Sequence, residues 1–149
     1  MKNKIKCAKC DDRKYILEQG RWVPCVCLDE LKTHLKYVQA NIPPIFMNYT
    51  WTDLLKDYPD AKRLWRLCNK IVKNVSKKRK CKFLYVRGDG HSGKQALVSL
   101  LLKDFIAKGI TCKFISLHDL IQLEFDKERK EELRRIYEDY EVVCLRIGT

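Results

Sequence analysis

Two periods of apolar residues alternate along the chain, and the switches between them mark out the expected elements. Phe83-Leu84-Tyr85-Val86 is a short continuous apolar run that predicts a buried strand. Ala96 to Ala107, apolar at Leu97, Leu100, Leu101, Phe105 and Ile106, predicts a helix, with Gly109 as the residue beyond its end that tolerates positive φ. Cys112-Lys113-Phe114-Ile115-Ser116 predicts a second strand. Strand, helix and strand within roughly thirty-five residues is the length of a right-handed crossover to a parallel neighbour. From Asp119 towards Asp139 a further helical stretch is apolar at its ends (Leu120, Ile121, Leu123; Leu133, Ile136, Tyr137) and charged from Asp126 to Glu132, a section expected to be solvent-facing helix or mobile loop. Val142-Val143-Cys144-Leu145 opens a third strand.

Upstream, the periods are shorter. Tyr15-Ile16-Leu17 and Arg21-Trp22-Val23 can pair as a hairpin around Gln19-Gly20. Leu28, Leu31, Leu35 and Val38 then recur at helical spacing until Asn41-Ile42-Pro43-Pro44 stops the pattern. An aromatic, irregular segment, Ile45 to Trp51, leads to one helical turn over Thr52 to Lys56. Its aromatics either stack on bases or fasten the linker onto a core. Pro59 opens a helix whose apolar stripe is Leu64, Leu67, Cys68, Ile71, Val72 and Val75. Together these elements predict an α/β chain: a small module and helix over 1–41, a linker over 42–59, and a parallel-sheet domain with flanking helices over 60–149.

Charge sharpens the picture. The formal net charge is +12. Between Asp60 and Lys94 twelve Lys or Arg face only Asp60 and Asp89, a local balance of +10, so the excess sits in one quarter of the sequence, on the polar side of the helix after Pro59 and in Lys77-Lys78-Arg79-Lys80. Such a block favours a polyanion; the plainer reading is a solvated lysine-rich surface. No apolar run is long enough to span a membrane, and the basic start, Met1 to Lys6, has no apolar stretch behind it, so a cytoplasmic protein without a signal peptide is expected.

In that compartment the eight cysteines point to reduced thiols rather than a disulfide framework. Cys7-x-x-Cys10 and Cys25-x-Cys27 lie at the base of the expected hairpin, where four thiolates can close a tetrahedral zinc site and hold together a module too small for its own core. Unligated thiols or a redox pair are the alternatives. Cys68, Cys81, Cys112 and Cys144 fall singly in apolar contexts and read as core residues. His34, alone on a charged helix face, reads as a surface residue.

The sharpest motif is Gly88-Asp89-Gly90-His91-Ser92-Gly93-Lys94-Gln95, between the expected strand and helix. G-x-x-x-x-G-K is satisfied by Gly88, Gly93 and Lys94: backbone N–H groups and the helix start cradle phosphates while the lysine reaches the outer ones. A glycine-rich turn without a ligand is the alternative. The hydroxyl residue that holds Mg²⁺ in such loops is replaced by Gln95. The acidic residue that would follow the third strand is replaced by Arg146. Nucleotide, ATP or ADP, is therefore expected to bind without efficient hydrolysis.

The paired cysteines, Asn41-Ile42-Pro43-Pro44 with its aromatics, Leu84-Tyr85-Val86-Arg87-Gly88, Lys108-Gly109-Ile110 and Asp119-Leu120-Ile121, in that order, resemble bacterial replicative-helicase loaders of the DnaC/DnaI type and their phage-borne relatives. The resemblance spans nearly the whole chain. It implies an N-terminal zinc domain that grips the replicative helicase and an AAA+ domain that binds ATP and single-stranded DNA. It also implies a partial sheet, since the strand between the first and third comes later in that family than Thr149. Those two strands would then pair directly, or leave edges for oligomerisation or a partner. Three readings follow: a non-catalytic loader-like binding protein, a working ATP-dependent loader, or a small zinc-containing binder of single-stranded nucleic acid that uses Lys77, Lys78, Arg79 and Lys80.

Overall fold

A computed structural model of the chain describes residues 7–11, 13–78, 84–89 and 92–147. The described residues form two compact units, divided between Lys36 and Tyr37. The first holds an antiparallel hairpin, β1 (Tyr15–Glu18) and β2 (Arg21–Pro24), with Ile16 opposite Val23. Gln19 and Gly20 both take positive φ, which tightens the two-residue turn. Helix α1 (Val26–Gln39) follows directly, and none of its residues is buried.

The second unit is a mixed α/β body. Its core is built around α4 (Lys94–Ala107), which buries Ala96, Leu97, Ser99, Leu100, Leu101, Leu102, Phe105 and Ile106 and is apolar on most of its circumference. Ile42, Leu54 of α2 (Trp51–Asp57) and Cys68 and Val72 of α3 (Lys62–Lys78) join the same core. Thr50 and Asp53 start α2 with a reciprocal cap, the Asp53 N–H donating to Thr50 Oγ1 and the Thr50 N–H to Asp53 Oδ2. The Lys103 ammonium, half-buried, donates to the carbonyls of Phe46, Met47 and Tyr49 at 3.1, 2.8 and 2.7 Å, and so fastens the aromatic segment onto α4.

A parallel pair, β3 (Cys112–Ser116) and β4 (Val142–Arg146), runs with Phe114 opposite Cys144. Strand alternation divides its side chains between two cores. Cys112 and Phe114 face α4. Ile115 joins Leu123 of α5 (Leu117–Phe125) and Ile136 of α6 (Lys130–Glu138) in a smaller cluster. The helix pair α5–α6 is therefore the crossover between the two parallel strands.

Three expectations need correction. Leu84 to Val86 form no strand: Leu84 and Tyr85 are exposed, Val86 is half-buried, and Phe83 lies outside the described residues. An extended run becomes a strand only with a hydrogen-bonding neighbour, and the described residues of this run have none: the parallel sheet consists of β3 and β4, so the run pairs neither with β3 nor directly with the strand at 142–146. The parallel crossover consequently joins β3 to β4, not residues 83–86 to β3. Over 119–139 the loop alternative holds for the start of the charged section: residues 126–129 separate α5 from α6, and the Asp126 carboxylate accepts from Glu128 N–H. In α3, Leu64 and Leu67 are exposed rather than part of the buried stripe.

Candidate metal centre and phosphate loop

The hairpin brings the two cysteine pairs together. Asp11 N–H donates to the Cys7 carbonyl and Arg13 N–H to the Cys10 carbonyl, both at 2.9 Å, so the chain turns back after the first pair; Asp11 and Lys14 take positive φ in the turn. Cys25 N–H donates to the Lys14 carbonyl at 2.8 Å, which places the second pair beside the first. All four thiol sulfurs lie within 4.8 Å of one another, with Cys7 Sγ 3.8 Å from Cys25 Sγ and Cys10 Sγ 3.4 Å from Cys27 Sγ. A tetrahedron of thiolates at the usual Zn–S distance has edges of about 3.8 Å, so the donor set and its spacing fit zinc. Backbone N–H groups of Cys10 and Lys9 pull the Cys7 thiol down to about 7, while the Cys27 thiol, held by hydrogen bonding to Cys10, is pushed up. Four crowded thiols cannot all ionise without a cation among them, which a divalent metal would supply.

The remaining described cysteines behave as small hydrophobes. Burial raises the Cys68 thiol to about 11 and the Cys112 thiol to about 12. Cys144 is partly buried and raised to about 11 for the same reason. Cys81 lies outside the described residues, and His34 is exposed.

At the second motif, Gly93 takes φ 73° and caps α4 without any side-chain hydrogen bond, leaving the first-turn N–H groups of the helix uncapped by side chains. Lys94 folds back over the loop, its ammonium donating to the Gly88 carbonyl at 2.7 Å, to the Asp89 carbonyl, and to Ser92 Oγ at 3.1 Å. The ammonium is thereby engaged by three acceptors of the loop's own described residues. Gly90 and His91 lie outside the described residues, and Gln95 is exposed on the first turn of α4. Arg146 is exposed at the end of β4, opposite Ser116. Of the basic cluster, Lys77 is exposed on α3, Lys78 is the last residue of that helix, and Arg79 and Lys80 lie outside the described residues.

Sequence reasoning missed Tyr58. Its ring covers Gly93 so closely that a Cβ there would lie 2.8 Å from Tyr58 Cε2. Nothing in the local sequence signals this contact, because it joins residues far apart in the chain. Gly93→Ala meets both a left-handed backbone and that ring, and should lower the stability of the second unit by about 1–2 kcal/mol in urea unfolding. Gly109→Ala, with φ 77° but no atom within 4 Å, should lose less. Equal losses would show that the ring yields freely.

A concavity beside the aromatic segment is lined by Tyr37, Met47, Trp51, Lys103 and Asp104. Its lysine is spent on three carbonyls, and Asp104, which burial shifts upward despite the Trp51 indole, accepts from that indole at 2.9 Å. These contacts hold the linker segment in place. Among the described residues no helix is long and apolar enough to cross a membrane.

Compared with known protein families, with curated proteins and with solved structures, the chain matches none.

Proposed function

We propose that this chain is a non-catalytic, helicase-loader-like binding protein: its cysteine module, closed by zinc, and the helix that follows engage a replicative DNA helicase, while the second unit binds ATP or ADP without efficient turnover. The observation that carries the reading is an amphipathic helix none of whose residues is fully buried. The stripe of α1 presents Leu31 and Leu35 to solvent, and Leu17 and Trp22 of the adjoining hairpin are exposed as well. Apolar surface of this kind on a metal-stapled module suits a protein partner.

The nucleotide part rests on the sequence pattern that Gly88, Gly93 and Lys94 satisfy, together with Gln95 and Arg146, which stand where the two groups that direct Mg²⁺ would be. Phosphoryl transfer depends mostly on that electrostatic stabilisation, whereas binding through backbone N–H groups and one lysine does not. The second unit then acts as a scaffold or nucleotide-responsive clamp, with the parallel pair as part of a partial P-loop sheet.

Capture of a replicative helicase by the full chain, lost in a Cys25→Ser, Cys27→Ser variant, is the expected result. A fluorescent ADP analogue should bind at least tenfold more weakly to Lys94→Ala, with no turnover in either protein. Unchanged capture by the double cysteine variant would overturn the partner assignment. A magnesium-dependent ATPase abolished by Lys94→Ala would replace this reading with that of a working loader.

A further inference from the structure

Helix α3 carries its charge in an arrangement that costs energy. At 3.6 residues per turn, Lys62, Arg63, Arg66, Lys70, Lys73 and Lys77 fall within an arc of about 100°, opposite the buried Cys68 and Val72, and run for about 22 Å along the axis. All six are exposed, and the helix contains no acidic residue. Like charges stand at i,i+4 in Lys62/Arg66, Arg66/Lys70 and Lys73/Lys77, each pair unfavourable by a few tenths of a kcal/mol. Lys62 and Arg63 also place positive charge at the helix start, where the backbone dipole disfavours it.

The contrast with α6 separates this face from an ordinary solvated one. There Arg129 meets Glu132 at 2.8 Å, Arg134 meets Glu138 at 2.9 Å, and Arg135 meets Glu131 at 3.7 Å, so the charged face neutralises itself. Among the described residues none of the six α3 cations forms an ion pair. Among the described residues these are unpaired cations, one every turn or so on a rigid rod, and they match an equally regular row of anions.

We propose that this face of α3 is a docking surface for the phosphate backbone of duplex DNA, bound without regard to sequence. Single strands are the poorer match. No aromatic side chain lies within the cationic arc to serve as a stacking platform, and stacking supplies much of the affinity of single-strand binders. A straight, stiff row of charges matches a duplex, whose phosphates are held at fixed spacing, better than a flexible strand. The inference stands apart from the loader reading, because α3 belongs to the second unit and helicase capture is assigned to the first.

The test is fluorescence anisotropy of the full, zinc-loaded chain with a mixed-sequence 24-base-pair duplex and with a 24-nucleotide oligo(dT), between 50 and 200 mM salt. Duplex binding should fall with salt at a log–log slope of about −4 to −5, the value for about five neutralised phosphates. Arg66→Gln, Lys70→Gln, Lys73→Gln should weaken duplex binding at least tenfold at 100 mM salt and bring the slope nearer zero by about 2.5. These side chains are exposed and mutually repulsive, so thermal melting should be unchanged or slightly higher. A control with the same loss of charge elsewhere, Lys36→Gln, Lys108→Gln, Lys127→Gln, should stay within threefold of the parent. Equal weakening by the control, tighter binding to oligo(dT) than to duplex, or no duplex binding at 50 mM salt would each overturn the proposal.

Discussion

Chelation of the metal should abolish the structure of the N-terminal unit and leave the second unit folded. Cys10 and Cys25 are the only buried residues among the described residues of that unit, so it has no apolar core apart from the thiol cluster itself. Its two strands are four residues each, and an isolated two-stranded hairpin is marginal in water. The free energy that holds such a module is almost wholly that of metal binding, on the order of 10 kcal/mol or more for structural zinc. Hydrogen exchange read by mass spectrometry on the intact chain should show residues 15–24 losing all protection after chelation, while residues 94–107 keep theirs. Cys25→Ser, Cys27→Ser should behave like the chelated protein. Because each thiol gives up its proton to bind metal, acidification should release it as well. A hairpin that stays protected without metal would mean that the four sulfurs are held by packing, and the zinc assignment would fall.

The sequence was most legible where one local signal decided the outcome. The hairpin followed from Gln19-Gly20 between two apolar runs, and its pairing then brought Cys7, Cys10, Cys25 and Cys27 within reach of one ion. The end of α4 followed from Gly109 and the spacing of leucines before it, while its start lies at Lys94, two residues ahead of the expected Ala96. Legibility failed where the outcome depended on a partner. Phe83 to Val86 has the composition of a buried strand, yet its described residues pair with no strand, and composition does not tell which edge, if any, such a run will meet. The break at Asp126 has neither glycine nor proline; a side-chain bond to Glu128 N–H makes the turn, and that bond competes with a helix only once α5 and α6 both pack beneath Ile115. Exposure of Leu64 and Leu67 was equally invisible, because helical spacing tells which residues share a face but not how much of that face is covered. The distribution of charge was legible from the outset, whereas the self-pairing of charges on α6 and its absence among the described residues of α3 required the side-chain positions.

Leu102→Ala and Ser99→Ala, three residues apart on α4, should move the stability of the second unit in opposite directions. Leu102 is 1% exposed at the centre of the core. Truncating it removes transfer energy and leaves a cavity, together costing about 3–4 kcal/mol, a large share of what a domain of this size has in reserve. Ser99 is fully buried, and its hydroxyl has no hydrogen-bond partner among the described residues. Alanine there removes an unsatisfied polar group and favours the helix, so Ser99→Ala should gain about 1 kcal/mol. Urea unfolding followed by far-ultraviolet circular dichroism checks both, and a loss for Ser99→Ala would show that its hydroxyl is bonded after all. The pair also probes how the phosphate loop is held. Lys94 begins the helix whose other end is anchored by Leu102 and Phe105, so the anion binding proposed for the loop depends on a rod seated in the core. If so, Leu102→Ala should weaken nucleotide binding even where the unit remains folded. The cobalt–thiolate absorbance of the N-terminal unit, which depends on four sulfurs and none of this core, should be unchanged.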